Sequence, residues 1–196
     1  PPFATIQKGL DTLASGDTVF ISAGEYYEEL EKNMCDYGPN NITIMGEGMS
    51  NTIIGSFFIF GNRDDCNSIV ENSKINIENF KFEGTLGLFD IENINIKNVW
   101  SESLTNMFNF SSYNTNQVAQ ISNSIFQTTL TMGSINETHS QQINFNYCTF
   151  TSVTVNENIS SMGNFSISYY NSIFHNMNFT NDNFQADFNF CSLSSV

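Results

Sequence analysis

Short runs of alternating apolar and polar residues recur along this chain, and they line up with one another. Ile121-Ser-Asn-Ser-Ile-Phe126, Phe145-Asn-Tyr-Cys-Thr-Phe150 and Tyr169-Tyr-Asn-Ser-Ile-Phe174 begin at 121, 145 and 169, a 24-residue step. A further copy, Phe188-Asn-Phe-Cys-Ser-Leu193, begins 19 residues later. Upstream, Ile77-Glu-Asn-Phe-Lys-Phe82 has the same shape and Ile96-Lys-Asn-Val-Trp100 a shortened one, with Ile42-Thr-Ile-Met and Val19-Phe-Ile-Ser earlier still. Period-two alternation is the mark of a strand, and helical spacing is absent from these stretches.

About eight such strand signals, recurring without an intervening helix, predict an all-β fold: a parallel β-helix solenoid of about eight coils stacked ~4.8 Å apart. An antiparallel sandwich of similar strands is the competing architecture. Asn79, Asn98, Asn123 and Asn171 fall at or near one place in the coil. Asparagine tolerates the left-handed backbone of a sharp turn, and its amide can bond to an asparagine one coil away, so these four are expected to form a ladder. Phe82, Trp100, Phe126, Phe150, Phe174 and Leu193 are expected to stack inside.

The N-terminal pattern differs. Phe3, Ile6, Leu10 and Leu13 recur at three- and four-residue steps and so share one helical face. Thr5 is placed to cap the start and Gly16 the end, which predicts a short amphipathic helix over 3–16. Such a helix would plug the open end of a solenoid. Coils then fill 17–196, and 1–196 reads as one β-helix domain or as a segment of a longer chain.

The opening residues resemble a known family. Phe3-Ala-Thr-Ile-Gln7, Gly16-Asp-Thr-Val-Phe-Ile-Ser-Ala-Gly-Glu-Tyr-Tyr-Glu28, Asn41-Ile-Thr-Ile-Met-Gly-Glu-Gly48 and Thr52-Ile-Ile-Gly55 look like the start of pectinesterase-like and other pectin-lyase-fold proteins. The resemblance covers roughly 3–55; beyond that only the repeat shape persists. It implies a right-handed parallel β-helix. The family holds lyases, esterases and glycosidases of acidic polysaccharides along with non-catalytic surface proteins, so fold alone does not decide function.

Composition narrows the choice. Charged residues are only 13%, and the net charge is −14, which excludes nucleic-acid backbones and anionic membranes as partners. No apolar run is long enough to cross a bilayer. All six Lys and Arg residues (Lys8, Lys32, Arg63, Lys74, Lys81, Lys97) lie before residue 98, and beyond Glu102 the chain carries only Glu137, Glu157, Asp182 and Asp187 as charged side chains.

Six Asn-x-Ser/Thr acceptors stand at Asn41, Asn109, Asn136, Asn158, Asn164 and Asn178. Used sequons are exposed and imply secretion, so the chain is expected to be extracellular or on a cell surface. Four cysteines fit an oxidising compartment. Cys35 and Cys66 precede strand signals at Ile42 and Ile75 by similar distances, which puts them one coil apart and predicts a disulfide. Cys148 and Cys191 share a coil position but Ser172 takes it in between, and two coils, ~9.6 Å, exceed the ~7 Å reach of a disulfide. A start at Pro1 suggests a mature product or excised fragment. The stop after a strand copy suggests continuation or a partner over the end.

The family's lyase chemistry requires an arginine base with acids for calcium, and Arg63-Asp64-Asp65 reads as a solvated loop. Glycosidase chemistry requires paired acids, and Asp182, Asp187 and His175 lack a cation beside them. Glu25, Glu28, Glu29 and Glu31 do not match a calcium loop. No catalytic residue, metal or cofactor is expected. Tyr27, Tyr113 and Tyr170 are weak candidates for sugar contact, since one of two adjacent aromatics on a strand faces out. The expected function is a non-catalytic structural or adhesive glycoprotein of a coat or fibre, joined at its ends to its own copies or to further β-helix domains. The alternative is a polysaccharide-active enzyme or carbohydrate-binding module.

Overall fold

A computed structural model describes residues 3–34, 39–61, 72–101, 107–112, 116–127, 129–135, 139–157, 164–175, 178–179 and 186–194, with backbone alone at 107–112, 132–135, 155–157, 164, 178–179 and 193–194. The fold is all-β with one short helix, α1 (Ile6–Asp11). The chain follows the same path repeatedly. It runs through β1 (Thr18–Ile21), β2 (Gly24–Tyr26) and β3 (Leu30–Asn33), then β4 (Asn41–Gly46), β5 (Thr52–Ile54) and β6 (Phe57–Phe60). Next come β7 (Lys74–Phe82) with β8 (Leu86–Phe89), and β9 (Asn93–Ser101) with β10 (Met107–Ser112). Then follow β11 (Gln117–Ser122), β12 (Ile125–Phe126) and β13 (Thr129–Ile135), and β14 (Ser140–Asn146), β15 (Thr149–Thr151) and β16 (Thr154–Glu157). The path closes with β17 (Asn164–Tyr170), β18 (Ile173–His175), β19 (Asn178–Phe179), β20 (Ala186–Asn189) and β21 (Ser192–Ser194).

Every pairing among these strands is parallel, and each joins one pass to the next. They assemble into a 14-stranded and a 7-stranded sheet, an arrangement that fits a β-helix-like solenoid. A parallel ladder keeps paired residues on one face, so the alternation in sequence becomes columns in space. One inward column runs Ile44, Ile77, Ile96, Ile121, Phe145, Tyr169 and Phe188. Another runs Ile54, Phe82, Ser101, Phe126, Phe150 and Phe174.

In the later passes both columns turn aromatic. Phe150 stacks on Phe174 with centroids 4.9 Å apart and on Phe126 at 5.5 Å, while Phe145 stacks on Tyr169 at 5.2 Å. Rings of the two columns meet edge to face, as Phe150 and Tyr169 do at 5.4 Å. Each such pair adds about 0.5–1.5 kcal/mol beyond the burial of its surface.

Trp100 is not in this stack. The register pairs it with Lys81 and Ile125 on the outer face, and Ser101 takes the inward slot between Phe82 and Phe126. The cause is Asn98, which aligns with Asn79 and Asn123, so Ile96–Ser101 is a full copy of the repeat rather than a shortened one. The Ser101 hydroxyl is buried without a partner.

The helix is shorter than 3–16. Thr5 caps its start, accepting from Lys8 N at 3.2 Å, but Thr12 ends it, and its hydroxyl donates to Gly9 O at 2.9 Å. Ile6 and Leu10 are buried, whereas Phe3 is 56% exposed and lies outside the buried face. Gly16 serves a turn beyond the helix, with φ 90° and its N–H donated to Asn41 O at 2.6 Å.

Side chains tie α1 to the edge of β3. The Gln7 amide donates to Glu31 O at 2.8 Å and accepts from Glu31 N at 3.0 Å, standing in for a neighbouring strand. Lys32 donates to Leu10 O at 2.7 Å, close to the helix C-terminus, where a cation is favoured. Burial lowers the Lys32 pKa from its ordinary range, with the Asp11 charge opposing that shift.

Candidate functional site

In successive passes one residue turns the chain through the left-handed region. These are Asn79 (φ 65°), Asn98 (54°), Asn123 (50°), Tyr147 (54°), Asn171 (49°) and Phe190 (54°). Asn98 Nδ2 donates to Asn79 Oδ1 at 2.9 Å, a direct amide rung. Asn171 donates instead to Asn146 Oδ1 at 3.3 Å, because Tyr147 holds the corner on the intervening pass. A second outward ladder joins Asn95 to Asn76 at 3.2 Å and Asn76 to Thr43 Oγ1 at 3.1 Å.

The residue after the corner is apolar on the earlier passes, Phe80 and Val99, and on the later ones is a Ser or Cys that serves the backbone. Ser124 Oγ accepts from Val99 N at 3.1 Å and donates to Ser122 O at 2.8 Å. Ser172 does the same for Cys148 N and Tyr170 O, at 3.2 and 2.9 Å. Cys148 and Cys191 occupy the same slot as free thiols, with Ser172 between them. Burial pushes the Cys148 thiol up to about 12, against hydrogen bonds that pull it down, so it is a packing residue and not a nucleophile.

Two exterior groups collect aromatic side chains. On the early passes Glu25, Ile53, Lys81 and Trp100 form one outward column. Lys81 Nζ lies 5.0 Å from the centre of the Trp100 ring and 2.9 Å from Glu83 Oε1. The Tyr27 hydroxyl reaches Glu83 Oε2 at 3.1 Å and Glu25 Oε2 at 3.2 Å. The Lys81 hydrogen bond holds Glu83 below the usual carboxylate range, burial opposes that, and the Tyr27 bond adds to it. The same bond to Glu83 is the main cause raising the Tyr27 pKa above its ordinary value. Lys81 lies against one face of the indole, while Tyr27 stays 63% exposed.

The later passes are different. Tyr147 is 61% exposed, Tyr170 39% and Phe190 92%. Tyr170 pairs with Asn146 on one side and Asn189 on the other, one residue before the corner column of Tyr147, Asn171 and Phe190. The result is an outer corner of three aromatic rings interleaved with three amides. Asp187 lies on the same face as Tyr170's neighbour Asn189, two residues back, and no lysine or arginine follows Lys97.

No family model matches this chain, and no curated protein or solved structure does.

Of the sites read from sequence, Tyr27 and Tyr170 fall in separate exterior groups, and Tyr113 lies outside the described residues. Asn41 is the exposed first residue of β4. Asn109, Asn164 and Asn178 are placed by backbone in β10, β17 and β19, while Asn136 and Asn158 lie outside the described residues. Cys35, Cys66, the Arg63-Asp64-Asp65 triplet and Asp182 also lie outside them. Among the described residues no three His, Cys, Asp or Glu side chains converge as metal ligands. Tyr147 and Phe190 were not singled out by the sequence pattern. The signal was there in Phe145-Asn-Tyr-Cys and Phe188-Asn-Phe-Cys, where an aromatic takes the place of the corner asparagine.

A cleft of about 730 Å³ opens between α1 and β1, lined by Phe3, Ile6, Leu13, Val19, Phe20 and Tyr26 among others. Phe20 and Phe3 are its exposed rims, at 59% and 56%.

Proposed function

We propose that this chain is a right-handed parallel β-helix of about eight coils, of the pectin-lyase-like class, serving as a non-catalytic structural or adhesive element of an extracellular glycoprotein coat or fibre. The observation that carries this reading is the unbroken register of the inward column from Ile44 to Phe188. Each step is locked by backbone pairing, and the later ones also by ring stacking, which makes a rod stiff along its axis. Few charges interrupt its outer face, and asparagine ladders satisfy that face with amide hydrogen bonds.

N-linked glycans on Asn41, Asn109, Asn136, Asn158, Asn164 and Asn178 and a Cys35–Cys66 disulfide belong to the same proposal. So does end-to-end contact with copies of the chain or with further β-helix domains, since the end strands of any such stack present unpaired backbone groups. Secretion from a eukaryotic host, glycopeptide mass spectrometry and electron microscopy test it together. Occupied sequons on rods joined end to end are the expected outcome. Unmodified, separate particles that cleave a polysaccharide would overturn it.

A further inference from the structure

We propose that the outer corner formed by Tyr147, Tyr170 and Phe190 binds an uncharged polysaccharide chain. The inference deepens the adhesive reading above, and rests on it, by naming what the surface adheres to. Three independent features of the corner point the same way.

The first is backbone strain. Tyr147 and Phe190 hold φ near 54°, a region where asparagine occupies the same column on four other passes. A bulky side chain there is disfavoured, and Tyr147, at 61% exposed, recovers little by burial, while Phe190 on the last described pass is 92% exposed. Local rules broken without a packing gain mark places shaped by function. Tyr147 is flanked by Asn123 and Asn171 on the neighbouring passes, so its exposure is a property of the column itself.

The second feature is spacing. Tyr147, Tyr170 and Phe190 sit on three successive passes, so the rings climb the axis over two strand spacings, ~9.6 Å. That is a track for an extended chain lying along the axis, with successive ring faces offered to successive sugar units. Asn146, Asn171 and Asn189 stand between the rings with amides able to donate to and accept from hydroxyls. Sugar rings present apolar C–H faces bounded by hydroxyls, which is the complement of aromatic faces bounded by amides.

The third is charge. No lysine or arginine follows Lys97, while Asp187 lies on the same face. A uronate polymer would meet the Asp187 carboxylate and no lysine or arginine, which favours a neutral ligand.

The test uses the soluble full chain, titrated calorimetrically with cellohexaose, chitohexaose and polygalacturonate. The expected result is binding of a neutral hexamer, weakened roughly tenfold by Tyr147→Asn and again by Phe190→Asn, about what one ring contact contributes. Asparagine is the residue that column already carries, so both variants keep the fold, and a melting temperature at or above the parent's verifies it. Four outcomes overturn the proposal: no binding of either neutral hexamer, equal binding of polygalacturonate, binding unchanged in the folded variants, or self-association lost in them without sugar uptake. The first three outcomes leave end-to-end assembly untouched, and the fourth would assign the corner to assembly instead, so a failure here is distinguishable from a failure of the rod.

Discussion

The hydroxyl of Tyr27 lies 3.1 Å from a carboxylate oxygen of Glu83, across 56 residues of sequence. The contact spans the pass between them, and Gly55 is why it can. A Cβ on Gly55 would stand 3.3 Å from the Tyr27 Cα, and one on Gly84 would stand 2.5 Å from the Gly55 backbone. With no side chain between the passes, Tyr27 lies along the surface to reach a carboxylate already held by Lys81 at 2.9 Å.

This arrangement predicts a titration. Lys81 first, and then Tyr27, hold Glu83 below its ordinary 4.5. A folded-state pKa below the unfolded one contributes stability above the unfolded value, and that contribution is lost as pH falls through the lowered pKa. Carbon-detected NMR titration should show Glu83 moving up toward the ordinary range in Lys81→Met, and by less in Tyr27→Phe. A Glu83 titration unaltered by Lys81→Met would contradict the geometry.

Tyr147→Asn should stabilise the fold by about 1 kcal/mol, because it relieves a left-handed aromatic and places an amide between Asn123 and Asn171. The converse, Asn123→Ala, should destabilise by about 1 kcal/mol, since alanine gains nothing from the left-handed region. Paired urea denaturation curves with equal slopes would measure both. A Tyr147→Asn variant less stable than its parent would mean the ring is held by contacts that the exposed corner does not show.

How far the sequence foretells this molecule depends on whether a feature is periodic. The inward columns are legible because burial of one face imposes alternation, and that alternation recurs at a fixed step. Asn79, Asn98, Asn123 and Asn171 are legible because few residues accept φ near 50–65°. Trp100 misleads because its bulk suggests the core, although Asn98 two residues earlier fixes the register and turns it outward. The α1 boundary misleads as well. Phe3 and Leu13 keep the helical spacing, but Thr12 captures Gly9 O and ends the helix earlier. Tyr27 and Glu83 leave no trace in any window of sequence, because their contact depends on what Gly55 lacks.

Ser101→Ala should leave stability unchanged or raise it by about 1 kcal/mol. The Ser101 hydroxyl is buried between Phe82 and Phe126 with no partner, so folding strips its water and returns nothing. Thermal unfolding of the two proteins at equal concentration decides it. A loss above 1 kcal/mol would show that the hydroxyl is satisfied in solution, by a water molecule for instance.

The slot after each corner offers a stricter test of register. Cys148, Ser172 and Cys191 follow one another on successive passes, because Tyr170 pairs with Asn146 and Asn189, and Ile173 with Thr149 and Ser192. Neighbouring passes are ~4.8 Å apart, inside the Cα range of a disulfide, whereas Cys148 and Cys191 are two passes apart at ~9.6 Å, outside it. In the parent both should stay thiols, with Cys148 slow to alkylate at pH 8 because burial lifts its pKa to about 12. Ser172→Cys should then form a disulfide with one of the two on mild oxidation and leave the other free. With Cys148 as partner the closed loop gives about 3 kcal/mol of stabilisation, less any strain. Peptide mapping without reduction identifies the pair. A Cys148–Cys191 bridge in the parent would break the register on which the inward columns, the asparagine corner and the aromatic track all depend.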